Sequence, residues 1–178
     1  MDLLKQSLSD DDIRNFFNDK IKIVKYSELQ NMESIDELLE PYLRCIILFE
    51  ITGFNNGHWT LLQQCYDTKN KKPYILFFDS YGYSPENEIS IIPIQFKRES
   101  NQERGYLLKL LYNQPQEIHY NNYRLQKIKK GINTCGKYCC VKGKYPFVDE
   151  HDFEKILRST DLDPDYLICL LYKKLYKK

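Results

Sequence analysis

Apolar residues recur along this chain at two different periods, and the change between them marks out its elements. In LSDDDIRNFF, starting at Leu8, Ile13, Phe16 and Phe17 fall at helical spacing behind Ser9 or Asp10, either of which suits an N-cap, so a short helix is predicted. Residues 34–39 (SIDELL) predict another capped helical turn, ended near Pro41 because proline disfavours helical geometry in its predecessor. The period then shortens. Residues 44–51 (RCIILFEI), 59–66 (WTLLQQCY) and 74–79 (YILFFD) are β-branched or aromatic runs separated by the turn formers GFNNG and DTKNKKP. They read as three successive strands with hairpin-like connections.

Gly82, Pro85 and Pro93 break residues 80–93 into a loop, and helical periodicity resumes over 102–112 (QERGYLLKLLY). Residues 118–125 read as a further strand, and 135–141 and 152–157 as helices. In the last helix, 163–176, Pro164 stands in the first turn and lysines near the end, an arrangement that suits the helix dipole. Without repeats, low-complexity tracts or a linker, residues 1–178 read as one α+β domain, its strands gathered centrally and its helices at both ends.

Charge and composition narrow the function classes. The 178 residues carry 26 Lys+Arg against 25 Asp+Glu, a net +1 that lacks the clustered positive excess of a dedicated nucleic-acid protein, so nucleic acid is not indicated as a partner. No apolar run approaches the ~18 residues that span a bilayer, and MDLLKQSLSDDD is acidic where a signal peptide is basic and then apolar. The expectation is a soluble, intracellular protein without a membrane partner. Under that expectation Cys45, Cys65, Cys135, Cys139, Cys140 and Cys169 are free thiols rather than disulfides. The abundance of Lys, Asn and Ile and the absence of alanine fit an A/T-biased gene and carry no chemistry.

One cysteine differs from the rest. In Asn133-Thr134-Cys135-Gly136, turn formers lead into a predicted helix, so Cys135 sits where unpaired backbone N–H groups and the dipole favour a thiolate. Gly136 leaves room for a substrate backbone beside the sulfur. An ordinary thiol is only about 3% ionised at pH 7, so a nucleophilic cysteine also needs an imidazole. His58 stands at the mouth of a predicted strand, and Asp79 ends the next one. If these strands are antiparallel neighbours, the two side chains meet, and Cys135, His58 and Asp79 form a nucleophile, a base and an orienter. Each also has an ordinary reading: an inert thiol, a turn histidine and a turn-starting aspartate. Trp59 reads equally as plain core, and His119 and His151 show no partner pattern. The absence of a CxxC pair and the CxxxCC spacing argue against structural zinc, so neither metal nor cofactor is expected.

The order GHW, FFDSYG, NTCGKYCC resembles the adenovirus-type and ubiquitin-like-protein-specific cysteine proteases over residues 44–140, with LSDDDIRNFF resembling their leading helix. The spacing is most similar to maturation proteases of large DNA viruses, virophages and related elements. The resemblance implies a papain-like α+β fold of the adenain type, with a central, mostly antiparallel sheet flanked by helices. It implies His58 as base, Asp79 as orienter and Cys135 as nucleophile. It further implies a glutamine whose amide helps hold the oxyanion, best matched by Gln126, nine positions before Cys135. That spacing exceeds the common one, so KIKKGIN must loop out, and Asn133 is the alternative donor.

Trp59 would line a channel for small residues, glycine above all, before the scissile bond. The implied activity is endoproteolysis of capsid or scaffold precursors by a monomer, in the virion and the viral factory of the host cytoplasm. Two alternatives remain open: an isopeptidase that removes ubiquitin or SUMO-like modifiers, and an inactive binding module of the same fold.

Overall fold

Alternation along the strands divides the apolar residues between the two faces of one sheet. The computed structural model describes residues 3–51, 57–85 and 87–176; most of the GFNNG turn expected between strands lies outside them. Five strands, β1 (Lys22–Lys25), β2 (Arg44–Glu50), β3 (Gly57–Tyr66), β4 (Pro73–Phe78) and β5 (Glu117–Tyr120), lie side by side in chain order. The inner ladders are antiparallel, with Phe49 opposite His58 and Leu61 opposite Phe78. Both outer ladders, β1 with β2 and β4 with β5, are parallel. The sheet is therefore mixed rather than mostly antiparallel, because each edge strand returns through a crossover instead of a hairpin.

Among the described residues, seven α-helices flank the sheet: α1 (Asp10–Phe16), α2 (Asp36–Leu39), α3 (Ile94–Glu99), α4 (Tyr106–Tyr112), α5 (Cys135–Gly143), α6 (Glu150–Arg158) and α7 (Pro164–Tyr176). On one face Ile46, Leu48, Leu61, Leu76 and Phe78 pack against α1, α5, α6 and α7 through Phe16, Tyr138, Phe153 and Ile168. On the other, Cys45, Ile47, Phe49, Leu62, Ile75 and Phe77 pack against α2 and α4 and against Tyr26 and Leu29 of a 3-10 turn. Burying each such side chain contributes roughly 1.5–3 kcal/mol. A one-residue slip would move every one of them to the wrong face, so this two-sided core fixes the register of β2, β3 and β4.

Several boundaries differ from the sequence reading. Helix α4 begins only at Tyr106, and β5 ends at Tyr120 instead of reaching 125. A 3-10 turn, Glu88–Ile91, interrupts the expected loop, and α3 follows it. Helix α1 begins where expected, closed by a capping box in which Ser9 and Asp12 bond each other's backbone N–H.

Candidate active site

The fixed register sets the geometry at one end of the sheet. His58 is the second residue of β3, and Asp79 directly follows β4, whose last residue Phe78 pairs with Leu61. The two side chains meet with His58 Nε2 2.6 Å from Asp79 Oδ1, at 2% and 0% side-chain exposure. Asp79 is held from several sides. Its Oδ1 accepts the Tyr81 N–H at 2.9 Å and its Oδ2 the Tyr83 N–H at 3.1 Å. Its own N–H donates to Asn121 Oδ1 at 2.9 Å, while Asn121 Nδ2 returns a bond to the Asp79 carbonyl at 2.6 Å. The tight turn requires Gly82, whose φ of +78° suits glycine and where a Cβ would lie 2.5 Å from the Tyr123 carbonyl oxygen.

Cys135 is the first residue of α5, the helix packed along β3, and among the six free cysteines it alone is more than slightly exposed. Its thiol faces His58 and the backbone N–H groups of Trp59 and Gly136. With Nε2 engaged by Asp79, Nδ1 is the ring nitrogen left for the thiol. Burial pushes the Cys135 thiol up, but the hydrogen bond and charge of His58, with the two backbone donors, outweigh it and leave the thiol below its ordinary value. Burial pushes the His58 imidazolium down, and the charge and hydrogen bond of Asp79, then Cys135, hold it well above its ordinary value. Both shifts favour a thiolate–imidazolium pair. Three other cysteines are unlike it: burial pushes Cys45 up to about 12, raises Cys65 and lifts Cys140 well above its ordinary value.

A cleft of about 130 Å³ opens over the pair, lined by Trp59, Tyr81, Gln126, Asn133 and the Cys135–His58 centre. The 127–134 segment loops out, and the Gln126 side chain, 1% exposed, reaches the cleft. Its Oε1 accepts from Ser80 Oγ at 2.7 Å, which leaves Nε2 as the donor end, bonded at 3.3 Å to the Ile132 carbonyl and at 3.4 Å to the Tyr81 hydroxyl. Asn133, the alternative donor, spends its amide on the Lys5 carbonyl at 2.8 Å. Trp59 donates from Nε1 to the Leu8 carbonyl at 3.0 Å and lines the cleft. Gly136 does not line it. A Cβ there would meet Trp59 at 3.1 Å and Leu8 at 3.2 Å, so its missing side chain allows the close packing of Trp59 and Leu8 against the start of α5.

Tyr81 escaped the sequence reading. Its ring stacks on His58 with centroids 4.4 Å apart and planes 12° from parallel, and its hydroxyl meets Gln126. Burial, then the charges of Cys135 and Asp79, push that hydroxyl up to about 12, so it stays protonated at neutral pH. The signal was its place two residues after Asp79, in the turn that the carboxylate itself caps. As a positioning residue, Tyr81 restrains the imidazole and favours its cationic form. Tyr81→Leu is expected to lower kcat about tenfold with a smaller change in KM, and to move the alkaline limb of the pH profile to lower pH. Tyr81→Phe keeps the stack and should restore most of the rate, whereas equal damage by both would contradict this role.

The remaining candidates lie elsewhere. Cys139 and Cys140 are both buried. His119 does have partners: it stacks on Tyr74 at 4.3 Å and lies 3.2 Å from Glu117 and 3.4 Å from Glu150, remote from the cleft. Among the described residues no group of three or more His, Cys, Asp or Glu is placed to hold a metal ion, and no helix is long and apolar enough to cross a membrane.

No protein-family model matches the chain. Among solved structures, the Rickettsia bellii effector protein RickCE aligns at 18% identity and a TM-score of 0.34; the alignment covers 80% of this chain, which spans 55% of that one. Among curated proteins, Uncharacterized protein V9 of Sputnik virophage is 34% identical over 171 residues, 94% of each chain. At that identity and coverage the chain belongs to the family of this virophage protein.

Proposed function

We propose that the chain is a cysteine endopeptidase with a papain-like fold of the adenovirus-protease type, acting through Cys135, His58 and Asp79. One observation carries the reading: a partly exposed thiol at a helix N-terminus, facing a buried imidazole that is itself bonded to a buried carboxylate. In this mechanism the Cys135 thiolate attacks the peptide carbonyl. The oxyanion is held by the Cys135 backbone N–H and by Gln126 Nε2, which exchanges its long bond to Tyr81 for one to the substrate. As the C–N bond breaks, the leaving amine takes the proton of His58. His58 then accepts a proton from water, the hydroxide cleaves the thioester, and acid product and thiolate are released.

A cleft of only about 130 Å³ between Trp59 and Gln126 supports small residues, glycine foremost, just before the cleaved bond. The resemblance of the sequence motifs to viral maturation proteases leads us to propose capsid or scaffold precursors as substrates, processed by a monomer in the virion and the cytoplasmic viral factory; the virophage relative supports a viral origin. The test is a pair of electrophilic probes read by peptide mapping: a short peptide ending in glycine vinyl sulfone, and a ubiquitin-like modifier carrying the same group. The peptide probe is expected to modify Cys135. Modification by the modifier probe alone would turn the assignment to a deconjugating isopeptidase, and modification by neither would turn it to a binding module.

A further inference from the structure

The catalytic cleft is the middle of a longer groove whose two ends differ in charge. At one end it shares Leu8, Leu48 and Trp59 with a cavity of about 390 Å³, where Asp10, Asp12 and Glu28 outnumber Arg14 and Lys25. At the other end it shares Tyr81, Ile132 and Asn133 with an open depression of about 850 Å³ formed by the 128–133 loop. Here the lining is one-sided: Lys5, Lys129 and Lys130 contribute, and no carboxylate does. The loop's backbone gathers these lysines. Gly131, at φ +87°, turns the chain so that the Lys5 stem packs within 3.6 Å of where its Cβ would stand. The next lysine back, Lys127, is already paired with Asp163, whereas Lys129 and Lys130 are exposed and make no ion pair among the described residues.

In a chain of net charge +1 this is a local excess, placed at the mouth of the site rather than spread over the surface. The departing segment takes its proton from His58 and so leaves on the side of the imidazole. Tyr81, which covers that ring, also lines the lysine-edged depression. Resting on the endopeptidase reading above, we infer that Lys5, Lys129 and Lys130 form a docking site for acidic residues on the leaving side of the scissile bond, so that the preferred substrate is a polypeptide with a small residue before the cut and Asp or Glu after it.

The test compares three peptides, identical except for acidic, neutral or basic residues directly after the cut. Each is assayed for kcat/KM with wild type and K129E/K130E, and for binding to Cys135→Ala protein by fluorescence anisotropy, with thermal melting as the folding check. Wild type is expected to favour the acidic over the neutral peptide about tenfold, the preference shrinking as salt is raised. K129E/K130E is expected to favour the basic peptide instead. Equal rates for all three peptides would overturn the inference while leaving the endopeptidase intact. Binding of the acidic peptide through Lys129 and Lys130 without any cleavage would do the reverse. A short DNA duplex that binds through these lysines where the acidic peptide does not would overturn it in favour of nucleic acid.

Discussion

Cys135→Ala is expected to leave a folded protein with no measurable turnover, a loss on the order of 10⁶-fold in kcat. The expectation rests on there being no substitute nucleophile. Cys139 and Cys140 lie about one turn further along the same helix but are buried, and the Cys139 thiol already lies 3.3 Å from the Trp59 carbonyl. Cys45 is buried in the opposite face of the sheet. The fold survives because Cys135 contributes one small, partly exposed side chain at the end of a helix whose other residues are buried, so the change in stability should stay below about 1 kcal/mol. Cleavage assayed beside a thermal melt checks both halves; cleavage by the alanine variant would remove Cys135 from the mechanism.

His58→Ala is expected to lower kcat/KM by about 10⁴-fold or more, and in a way that carries a pH signature. The imidazole holds the Cys135 thiol below its ordinary range, and in the proposed mechanism it also delivers the proton to the leaving amine. In the proposed mechanism, wild-type activity is expected to rise with pH as Cys135 deprotonates, below the ordinary thiol value of 9.0, and to fall as His58 loses its proton, above the ordinary imidazole value of 6.5. Without His58 the low-pH thiolate is lost, and residual activity should rise only toward the ordinary thiol range. The variant also leaves Asp79, fully buried, with only the Tyr81 and Tyr83 N–H donors, at a cost of roughly 2–4 kcal/mol in stability. A pH profile of kcat/KM with chemical denaturation of both proteins checks this, and an unchanged acid limb would contradict it.

The three central strands and the helices that follow Cys135 were legible because their signals are local: β-branched runs, turn formers and capped apolar periodicity. The contact between His58 and Asp79 was legible too, since it needs only that two hairpin-linked strands pair. Strand β1 was overlooked because Lys22, Ile23, Val24 and Lys25 do not alternate, four residues give little period and the pairing partner lies across a crossover. Helix α3 follows a proline and buries no residue, so its pattern has no apolar stripe to read. Tyr81 and Ser80 look like ordinary turn residues in sequence. Their roles arise only when the turn after β4 meets Leu125 and Gln126, whose N–H groups both donate to the Ser80 carbonyl at 3.0 and 2.9 Å.

The central claim is that Cys135 is held as a thiolate by His58, and it is tested most directly by peptide-mapped alkylation with limiting iodoacetamide at about pH 6, where an ordinary thiol is less than about 1% ionised. In the wild type, label is expected on Cys135 ahead of Cys45, Cys65, Cys139, Cys140 and Cys169, and that selectivity is expected to vanish in His58→Ala. Reaction of Cys135 no faster in the wild type than in the variant would contradict the account.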